Sequence, residues 1–529
     1  MALLVAGCGQ YLEQYTDEDK DLTLTIESDT TASPTYTFAN RLFSFSVTLK
    51  LDRAGTYRIL HATSCEATRT AGGDNTSGSL SRNGAQTATI RLDHDDILTY
   101  GKSVILCAAD TAGYKTTSHI LSFAGGFDTT LANLAAQYNE SYGGGGYPLN
   151  TGLASAFFLF QSGATSTLAN RGGTAAQNSA SNPYSHGVYM DANDGHRLKY
   201  IVTDRANHRV LIFHSIPTGN TGLPDVVIGQ SDFTSAAPNA GAAIGAQGFD
   251  QPVHASVSAT GILFVTDYNN NRVLAYNTIP KIYPVNADFV LGQNSMAVIT
   301  ANNTLVATAA RLNHPYATHA IGGKLYIVDQ DNRRVVVHNS IPSTTAASAS
   351  FVIGHADFTT LSAGTNYTVS PNFMNSPYDL LVYQDHLYIS DAGNHRVLVF
   401  NTLPTASDAR PDFVIGQPNA AGLNPNQGGT AGTQTLRTPT TIIAQGAKLA
   451  VADQENNRIL FYDLPISADN TAATHGMGQG LSGTCGCTGA GAGTGQGAFN
   501  LPKGLIFDNG YIWIADGGNN RMQVRALPY

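Results

Sequence analysis

One short turn in the sequence gathers residue types that could do acid–base chemistry. Residues 202–213 read VTDRANHRVLIF and place Asp204, His208 and Arg209 between two apolar runs. A carboxylate beside an imidazole is a common proton-transfer pair. The same pattern returns five more times, with its Asp residues 62 or 63 positions apart. A catalytic constellation occurs once in a chain, so this regular repetition favours a structural role.

The repeated motif has the form D-x-x-N-x-R, and its residue types suit a tight turn. The Asp can accept backbone N–H groups two residues on, in an Asx-turn, and the Asn tolerates a left-handed backbone. The Arg can reach a carbonyl or carboxylate of the neighbouring unit. His208 and His395 fill the variable position before the Arg and are expected to be exposed. The motif pairs are Asp204 and Arg209, Asp267 and Arg272, Asp329 and Arg334, Asp391 and Arg396, Asp453 and Arg458, and Asp516 and Arg521.

Each repeat also contains four short apolar runs, which predict four strands. In residues 377–417 the runs are YDLLVY, HLYISD, RVLVFN and DFVIGQ, and the helical period is absent. Four antiparallel strands repeated around an axis form a β-propeller blade. Six motifs therefore predict an all-β fold with a six-bladed β-propeller over residues 153–529. The last repeat lacks its fourth strand, which residues 155–161 are expected to supply so that the ring closes.

The motif followed by Val or Ile resembles the NHL repeat. The flanking pieces N-T-[IL]-P and D-F-V-I-G-Q resemble a bacterial extracellular branch of NHL proteins. The resemblance covers residues 153–529 and implies an NHL-type propeller, but one fold hosts many activities. Some NHL propellers, the peptidyl-hydroxyglycine amidating lyases, carry a zinc ion held by His residues of inner strands. A metal-dependent lyase or hydrolase is therefore one function to consider.

Histidines do occur near the start of three of the predicted inner strands. His186, His254 and His319 stand three, two and four residues after the Pro that opens their blades. Zinc needs three or four converging ligands. Unequal positions indicate poor convergence, so no metal site is predicted.

The position two residues after each Pro gives a candidate binding pocket at one mouth of the central channel. Ser185, His254, Asp379 and Thr441 are the polar residues there. Ala317 and Gly504 fill the position in the other two blades. A few polar groups in a concave site are typical of a small-ligand pocket. The alternative is an ordinary water-filled mouth.

The first part of the chain has a different organisation. Residues 21–125 alternate apolar and polar positions in short runs, which predicts an antiparallel β-sandwich. Their closing stretch, CAADTAGYKTTSHILSF, resembles the last hairpin of bacterial Ig-like domains. Residues 126–152 contain YGGGGYP and are read as a linker. Residues 1–20 resemble a lipoprotein signal and tether, with LVAGC ending at Cys8 as the lipidated residue.

Five cysteines leave four once Cys8 is assigned to lipid. Cys65 and Cys107 share the first domain and are predicted to form a disulfide, whereas the state of Cys485 and Cys487 stays open. The acidic stretches DHDD at 93–96 and DANDG at 191–195 resemble parts of calcium loops, but turns are expected there. No cofactor is predicted, with Ca²⁺ and Zn²⁺ left as alternatives.

Composition narrows the function classes. The formal charge of −9 argues against a nucleic-acid partner, and no motif for phosphate, haem or serine-hydrolase chemistry is present. We expect a non-catalytic binding or scaffold protein, secreted or held at a bacterial membrane surface by its lipid. Its protein or glycan partner would contact the long connections between blades, such as 232–248 and 420–434. The alternative is the metal-dependent propeller enzyme, with its site at the central channel.

Overall fold

The computed structural model describes residues 158–160, 168–194, 197–217, 222–304, 306–359, 373–478, 481–484, 493, 498–508 and 511–528, and eight strands before residue 123. Contacts divide the chain into two compact units, Met1–Leu134 and Ala135–Tyr529. No α-helix occurs in these described segments, where short 3-10 turns are the only helical elements. None of the described helical segments has the length and hydropathy needed to cross a bilayer.

The first unit contains two antiparallel sheets of four strands. In one sheet β3 pairs with β1, β2 and β6, and the strand order of the other is β5-β4-β7-β8. Cys107 lies in β7, opposite Arg58 of β4. Cys8 and Cys65 lie outside the described residues, as do Cys485 and Cys487, so the lipid anchor and the disulfide stay predictions. The strands are β1 (Leu24–Ile26), β2 (Thr35–Thr37), β3 (Leu42–Leu51), β4 (Gly55–Leu60), β5 (Thr76–Leu80), β6 (Ala85–Asp93), β7 (Ser103–Asp110) and β8 (Thr116–Ser122).

The second unit is a six-bladed β-propeller, as the repeats predicted. Each blade is an antiparallel sheet. In the first five blades the strands follow chain order, and the fifth blade has an additional fifth strand. The short strand β9 (Phe158–Leu159) precedes them. Blades one to three are β10 (Pro183–Asp191), β11 (Arg197–Asp204), β12 (Arg209–Phe213) and β13 (Val226–Ile228); β14 (Pro252–Val257), β15 (Leu263–Asp267), β16 (Arg272–Tyr276) and β17 (Phe289–Leu291); and β18 (Pro315–Ile321), β19 (Lys324–Asp329), β20 (Arg334–His338) and β21 (Phe351–Ile353). Blades four to six are β22 (Pro377–Tyr383), β23 (His386–Asp391), β24 (Arg396–Phe400) and β25 (Phe413–Ile415); β26 (Pro439–Gln445), β27 (Lys448–Asp453), β28 (Arg458–Asp463), β29 (His475–Gly478) and β30 (Leu481–Thr484); and β31 (Pro502–Asp508), β32 (Tyr511–Asp516) and β33 (Arg521–Ala526).

The ring closes where the sequence predicted. Strand β9 pairs antiparallel with β33 and completes the sixth blade, with Leu159 opposite Met522. A residue from the start of the propeller segment thus joins the blade at its end. Closure gives the sixth blade the fourth strand that the other blades have, and it covers the outer edge of β33.

Strand sequences in the blades follow from burial between neighbouring sheets. In the first four blades the third strands, such as Arg209–Phe213, are buried along their whole length, because each blade packs against another on both faces. Each first strand carries an irregularity in its register just after its Pro, for example between Pro377 and Leu380. This β-bulge shifts the pairing by one residue and redirects the side chains that follow.

The Asp of the motif organises contacts that are distant in sequence. In the fourth blade, Oδ1 of Asp391 accepts the backbone N–H of Asn375 at 2.6 Å. Its Oδ2 accepts Nδ2 of Asn394 at 2.8 Å and Nε of Arg396 at 2.7 Å. The other five blades repeat this arrangement, with donors two residues before the Pro. The predicted Asx-turn was therefore wrong, and the Arg pairs with the carboxylate of its own blade.

The rest of the guanidinium binds the long connections between blades. Arg396 donates to the carbonyl of Ala420, in the connection that follows its blade, and to the carbonyl of Phe373, in the one that precedes it. Arg209, Arg272 and Arg334 bind carbonyls in the same two places. Both members of each pair are fully buried. The motif therefore has a structural role as a clamp on the connections.

A second repeated contact joins each blade to the next. The left-handed residue of the turn is the one before the Arg, with φ of 52–56°, and not the Asn predicted for it. In five blades its side chain accepts the backbone N–H that precedes the next Pro, and Asn520 closes the ring by accepting from Asn182. His208 and His395 take this position and are half-buried, not exposed as expected. Their Nδ1 atoms accept from Gln251 and Thr438, each at 3.1 Å.

These two histidine contacts predict a pH-dependent stability. Burial lowers the pKa of both His208 and His395, although Asp250 and Glu455 oppose the effect. Below about pH 6.5 the two imidazoles take up protons in the unfolded chain, whereas in the folded chain they stay neutral down to a lower pH. Their contribution is therefore complete above about pH 6.5 and is lost as the pH falls from there towards the folded pKa.

The variant His208→Asn with His395→Asn tests this, because three other blades use Asn at that position. Each hydrogen bond that one of these histidines accepts from the next blade stabilises the fold by about 0.5–1.5 kcal/mol. We expect equal melting temperatures at pH 7.5 and a smaller fall to pH 5 in the variant, measured by scanning calorimetry. Parallel falls in both proteins would contradict the prediction.

Candidate functional site

The inner strands place the four predicted polar residues around one pocket. Ser185, His254, Asp379 and Thr441 all line it, and it encloses about 420 Å³, part of which is open solvent. Gly504 of the sixth blade also lines the pocket, whereas Ala317 of the third does not. The remaining lining residues are His186, His319, Ile321, Leu380, Leu381, Ile442, Ile443 and Leu505.

Hydroxyl groups of the second strands fix the backbone behind these residues. Thr203, Thr266 and Ser390 each accept the N–H of the residue two after the Pro, at 2.8 Å in all three blades. The same hydroxyls donate to carbonyls of the inner strands. The pocket residues therefore start from a backbone position that is held on both sides.

Three of the lining side chains form a compact cluster. The ligand atoms of His254, His319 and Asp379 all lie within 4.8 Å of one another. Nε2 of His319 is 2.7 Å from Oδ1 of Asp379, and the rings of His254 and His319 have centroids 4.7 Å apart. This cluster, which we call the His–His–Asp cluster, comes from the second, third and fourth blades.

The carboxylate of the cluster is held in place by backbone groups. Oδ1 of Asp379 accepts the N–H of Leu380 at 2.9 Å, and Oδ2 faces the N–H of Ile442 at 3.4 Å. The side chain is buried, with 8% of its surface exposed. A carboxylate oriented in this way can accept from an imidazole or bind a cation.

Protonation states favour metal binding over a charged histidine. Burial lowers the pKa of His254 well below its usual range, and His319 beside it lowers the pKa further. His254 is therefore neutral at pH 7, with a lone pair for a ligand. Its Nδ1 faces the N–H of Thr318 at 3.4 Å, so an ion would bind at Nδ1 in place of this contact, or at Nε2 in the tautomer that carries the ring proton on Nδ1.

His186 has a different role from the other two histidines. Its Nε2 lies 3.0 Å from the carbonyl of Gly504, and the hydroxyl of Tyr200 lies 3.1 Å from its Nδ1. The geometry assigns the ring proton to Nε2 and leaves Nδ1 as the acceptor. Burial lowers its pKa to about 3. With both nitrogens engaged, His186 joins the first blade to the sixth and is no metal ligand.

The His–His–Asp cluster fits a zinc-class ion. Imidazole and carboxylate are ligands that Zn²⁺ takes in proteins, and two atoms bound at about 2.1 Å to one ion lie at most about 4.2 Å apart. The 4.8 Å limit on the cluster therefore requires only small side-chain rotations. A three-ligand site leaves coordination positions that face the pocket.

The DANDG stretch does not make a second cation site. Asp194 forms ion pairs with Lys199 and Lys281, and Asp191 accepts the N–H of Asn193 at 2.9 Å within the hairpin. These lysines neutralise the carboxylate that calcium would need, in agreement with the turn predicted from sequence. The DHDD stretch lies outside the described residues except for Asp93.

Comparisons with known proteins give little beyond the fold. A scan against protein families finds no match, and a search of curated proteins finds none either. Among solved structures, BamB from Moraxella catarrhalis is 11% identical, with 71% of this chain and 99% of that one covered and a TM-score of 0.30. A putative 6-phosphogluconolactonase from Bacteroides uniformis is 11% identical, with 78% and 92% covered and a TM-score of 0.31. The glutaminyl cyclase of Myxococcus xanthus is 8% identical, with 53% and 88% covered and a TM-score of 0.26. Likenesses this distant carry no function to this chain.

Proposed function

We propose that this protein is a metal-dependent binding propeller. A divalent ion of the zinc class, held by His254, His319 and Asp379, would position a small oxygen-bearing ligand in the channel pocket. The observation that carries the proposal is the His–His–Asp cluster, whose ligand atoms lie within 4.8 Å of one another. When bound, the ion would supply a Lewis acid that polarises the ligand oxygen.

The chain itself contributes a preorganised and partly apolar site. The backbone N–H of Leu380 fixes the Asp379 carboxylate, and Ile321, Leu381 and Ile443 provide apolar walls. Apolar walls with a few fixed polar groups are typical of sites for small molecules. This reading joins the binding role expected from the sequence to the metal site of the alternative.

Zinc binding to the full chain tests the proposal. We expect one Zn²⁺ per chain by isothermal titration calorimetry after the cysteines have been alkylated, so that thiolates do not compete. His319→Ala and Asp379→Asn should each weaken binding by at least about 100-fold, because even second-shell losses cost about 10–100-fold. His386→Ala is the matched control and should bind as the parent does, because His386 lies at the hairpin between β22 and β23 and does not line the pocket.

Cobalt gives an independent check on the ligand set. A nitrogen and oxygen site should show weak d–d absorption in the visible range without a thiolate charge-transfer band. If the parent binds neither ion at millimolar concentration, or if the His319 variant binds equally well, the proposed function is wrong.

A non-catalytic contact with a protein or glycan partner is the second candidate. Exposed apolar side chains on the connections between blades favour it, with Val306 67% exposed and Leu168 62% exposed.

We further propose that the propeller is of NHL type and that a lipidated Cys8 holds the chain at a bacterial surface. Intact-mass spectrometry of protein from its native membrane should find the chain starting at an acylated Cys8, and an unmodified thiol there would refute the anchor.

A further inference from the structure

A second group of side chains lies one residue away from the channel pocket on the same strands. Each opening Pro pairs with the motif Asp of its blade, so the residues directly after the Pro form a layer near the motif turns. Tyrosine dominates this layer, and one blade supplies a lysine. Its members are Tyr184, Val253, Tyr316, Tyr378, Thr440 and Lys503.

The tyrosines pack as a cluster of rings. Tyr316 stacks on Tyr378 with centroids 4.3 Å apart, and meets Tyr184 edge-on at 5.6 Å. Tyr268, from the turn of the second blade, meets Tyr316 edge-on at 5.7 Å. Tyr268 and Tyr378 are half-buried, so solvent reaches the cluster from their side.

Two cations lie against these rings. Nζ of Lys503 is 3.7 Å from the centroid of Tyr184, and Cζ of Arg205 is 4.7 Å from the same centroid. Arg205 also lies 5.3 Å from the ring of Tyr268. Both cations therefore stand within a few ångströms of one aromatic ring.

Neither cation has an acidic partner in the described part of the chain. Nζ of Lys503 donates to the amide oxygen of Asn182 at 3.1 Å, and Nε of Arg205 donates to the amide oxygen of Gln251 at 3.1 Å. Both partners are neutral, although the chain as a whole carries a formal charge of −9. Paired charges are the rule where a Lys is 6% exposed.

The two charges also raise each other's energy. Burial lowers the pKa of Lys503 well below its ordinary range, and the charge of Arg205 lowers it further. The hydroxyl of Tyr316 is also buried, and it has no hydrogen-bond partner among the described residues. An anion bound beside the cations would offset their repulsion and keep Lys503 protonated.

We propose that Lys503 and Arg205 bind the oxyanion group of a small ligand, a carboxylate or a phosphate, against the tyrosine cluster. Guanidinium and ammonium groups are the usual partners of both oxyanions. The half-buried rings of Tyr268 and Tyr378 would contact an uncharged body attached to that group, such as a sugar ring. The site uses none of the His–His–Asp cluster, so the inference does not rest on the proposed metal.

The repeats of the propeller supply the test variants. Lys503→Thr introduces the residue that the fifth blade has as Thr440, and Arg205→Gln introduces the residue that the third blade has as Gln330. Both changes are therefore compatible with the fold. Lys324→Thr is the matched control, because this lysine also lies over an aromatic ring, 6.0 Å from the centroid of Phe351.

Titration of the full chain in the presence of EDTA tests the oxyanion site. Sodium glucuronate and inorganic phosphate are the two separate probes. We expect saturable binding of at least one probe, weakened about tenfold or more by Lys503→Thr and by Arg205→Gln and unchanged by Lys324→Thr. Glucuronate alone would identify an organic acid as the ligand, and phosphate alone a phosphorylated one.

No saturable binding of either probe at 10 mM, on the order of the weakest useful affinity, would overturn the inference. Equal binding by the Lys503 variant would do the same. Because EDTA removes free metal, failure here is distinct from failure of zinc binding, and either result stands without the other.

Discussion

Replacing Arg396 with methionine is expected to lower the free energy of unfolding of the propeller by about 3–5 kcal/mol. Arg396 and Asp391 are both fully buried, with Nε 2.7 Å from Oδ2. The variant would leave a buried carboxylate without its cation. It would also leave the carbonyls of Ala420 and Phe373 without the guanidinium that binds them.

Urea unfolding followed by tryptophan fluorescence measures the loss, because the single Trp513 is fully buried in the sixth blade. Arg410→Met is the control: Arg410 is exposed, and its removal should change stability by less than about 0.5 kcal/mol. If Arg396→Met unfolds at the same urea concentration as this control, the clamp contributes nothing.

The double variant Asp391→Leu with Arg396→Met separates the ion pair from its surroundings. Replacing a buried pair by apolar residues is often neutral or stabilising. Here the carboxylate also accepts from the N–H of Asn375 and the amide of Asn394, and both would lose their partner. We therefore expect the double variant to remain destabilised, unlike an isolated buried pair.

The repeats predicted the fold because each blade is encoded by its own sixty-odd residues. The Pro, the D-x-x-N-x-R turn and the apolar runs recur in each blade, so the number of blades, their four common strands and ring closure by β9 could be read without coordinates. The additional strand β30 of the fifth blade was not predicted. The contacts made by the motif were harder to predict from the sequence. The donor to Asp391 is Asn375, sixteen residues earlier, and local turn chemistry gives no hint of it.

The candidate site was found in part for a similar reason. His254 and Asp379 share the position two residues after Pro and were predicted together, but His319 stands four residues after its Pro. Side chains two residues apart on a strand share a face, so His319 points with His254. His186 stands at an odd position, and both its ring nitrogens are engaged by Gly504 and Tyr200. The signal in the sequence was that His254 and His319 both stand an even number of residues after their Pro, and not that they stand at the same position. The tyrosine layer was missed because its residues looked like ordinary core.

The contacts of the connections change what a loop deletion would measure. The stretch 420–434 looked like a free binding loop in the sequence, since it is rich in Gly, Asn and Thr. In the structure the carbonyl of Ala420 binds Arg396, and the carbonyl of Gly432 binds Arg458 at 3.0 Å. The side chains of Asn426 and Asn456 are also joined. The connection is therefore part of two clamps.

Shortening 420–434 to a few glycines is accordingly expected to destabilise the propeller by at least about 3 kcal/mol, the sum of two hydrogen bonds to charged groups. The melting temperature of the shortened chain, measured by calorimetry, should fall well below that of Thr430→Ala, whose exposed side chain lies in the same stretch. An unchanged melting temperature would show that the guanidinium contacts are dispensable and that the connection is free to serve a partner alone. If the temperature falls as expected, partner binding through this face has to be tested by changing exposed side chains such as Val306, because deletion removes the fold and the surface together.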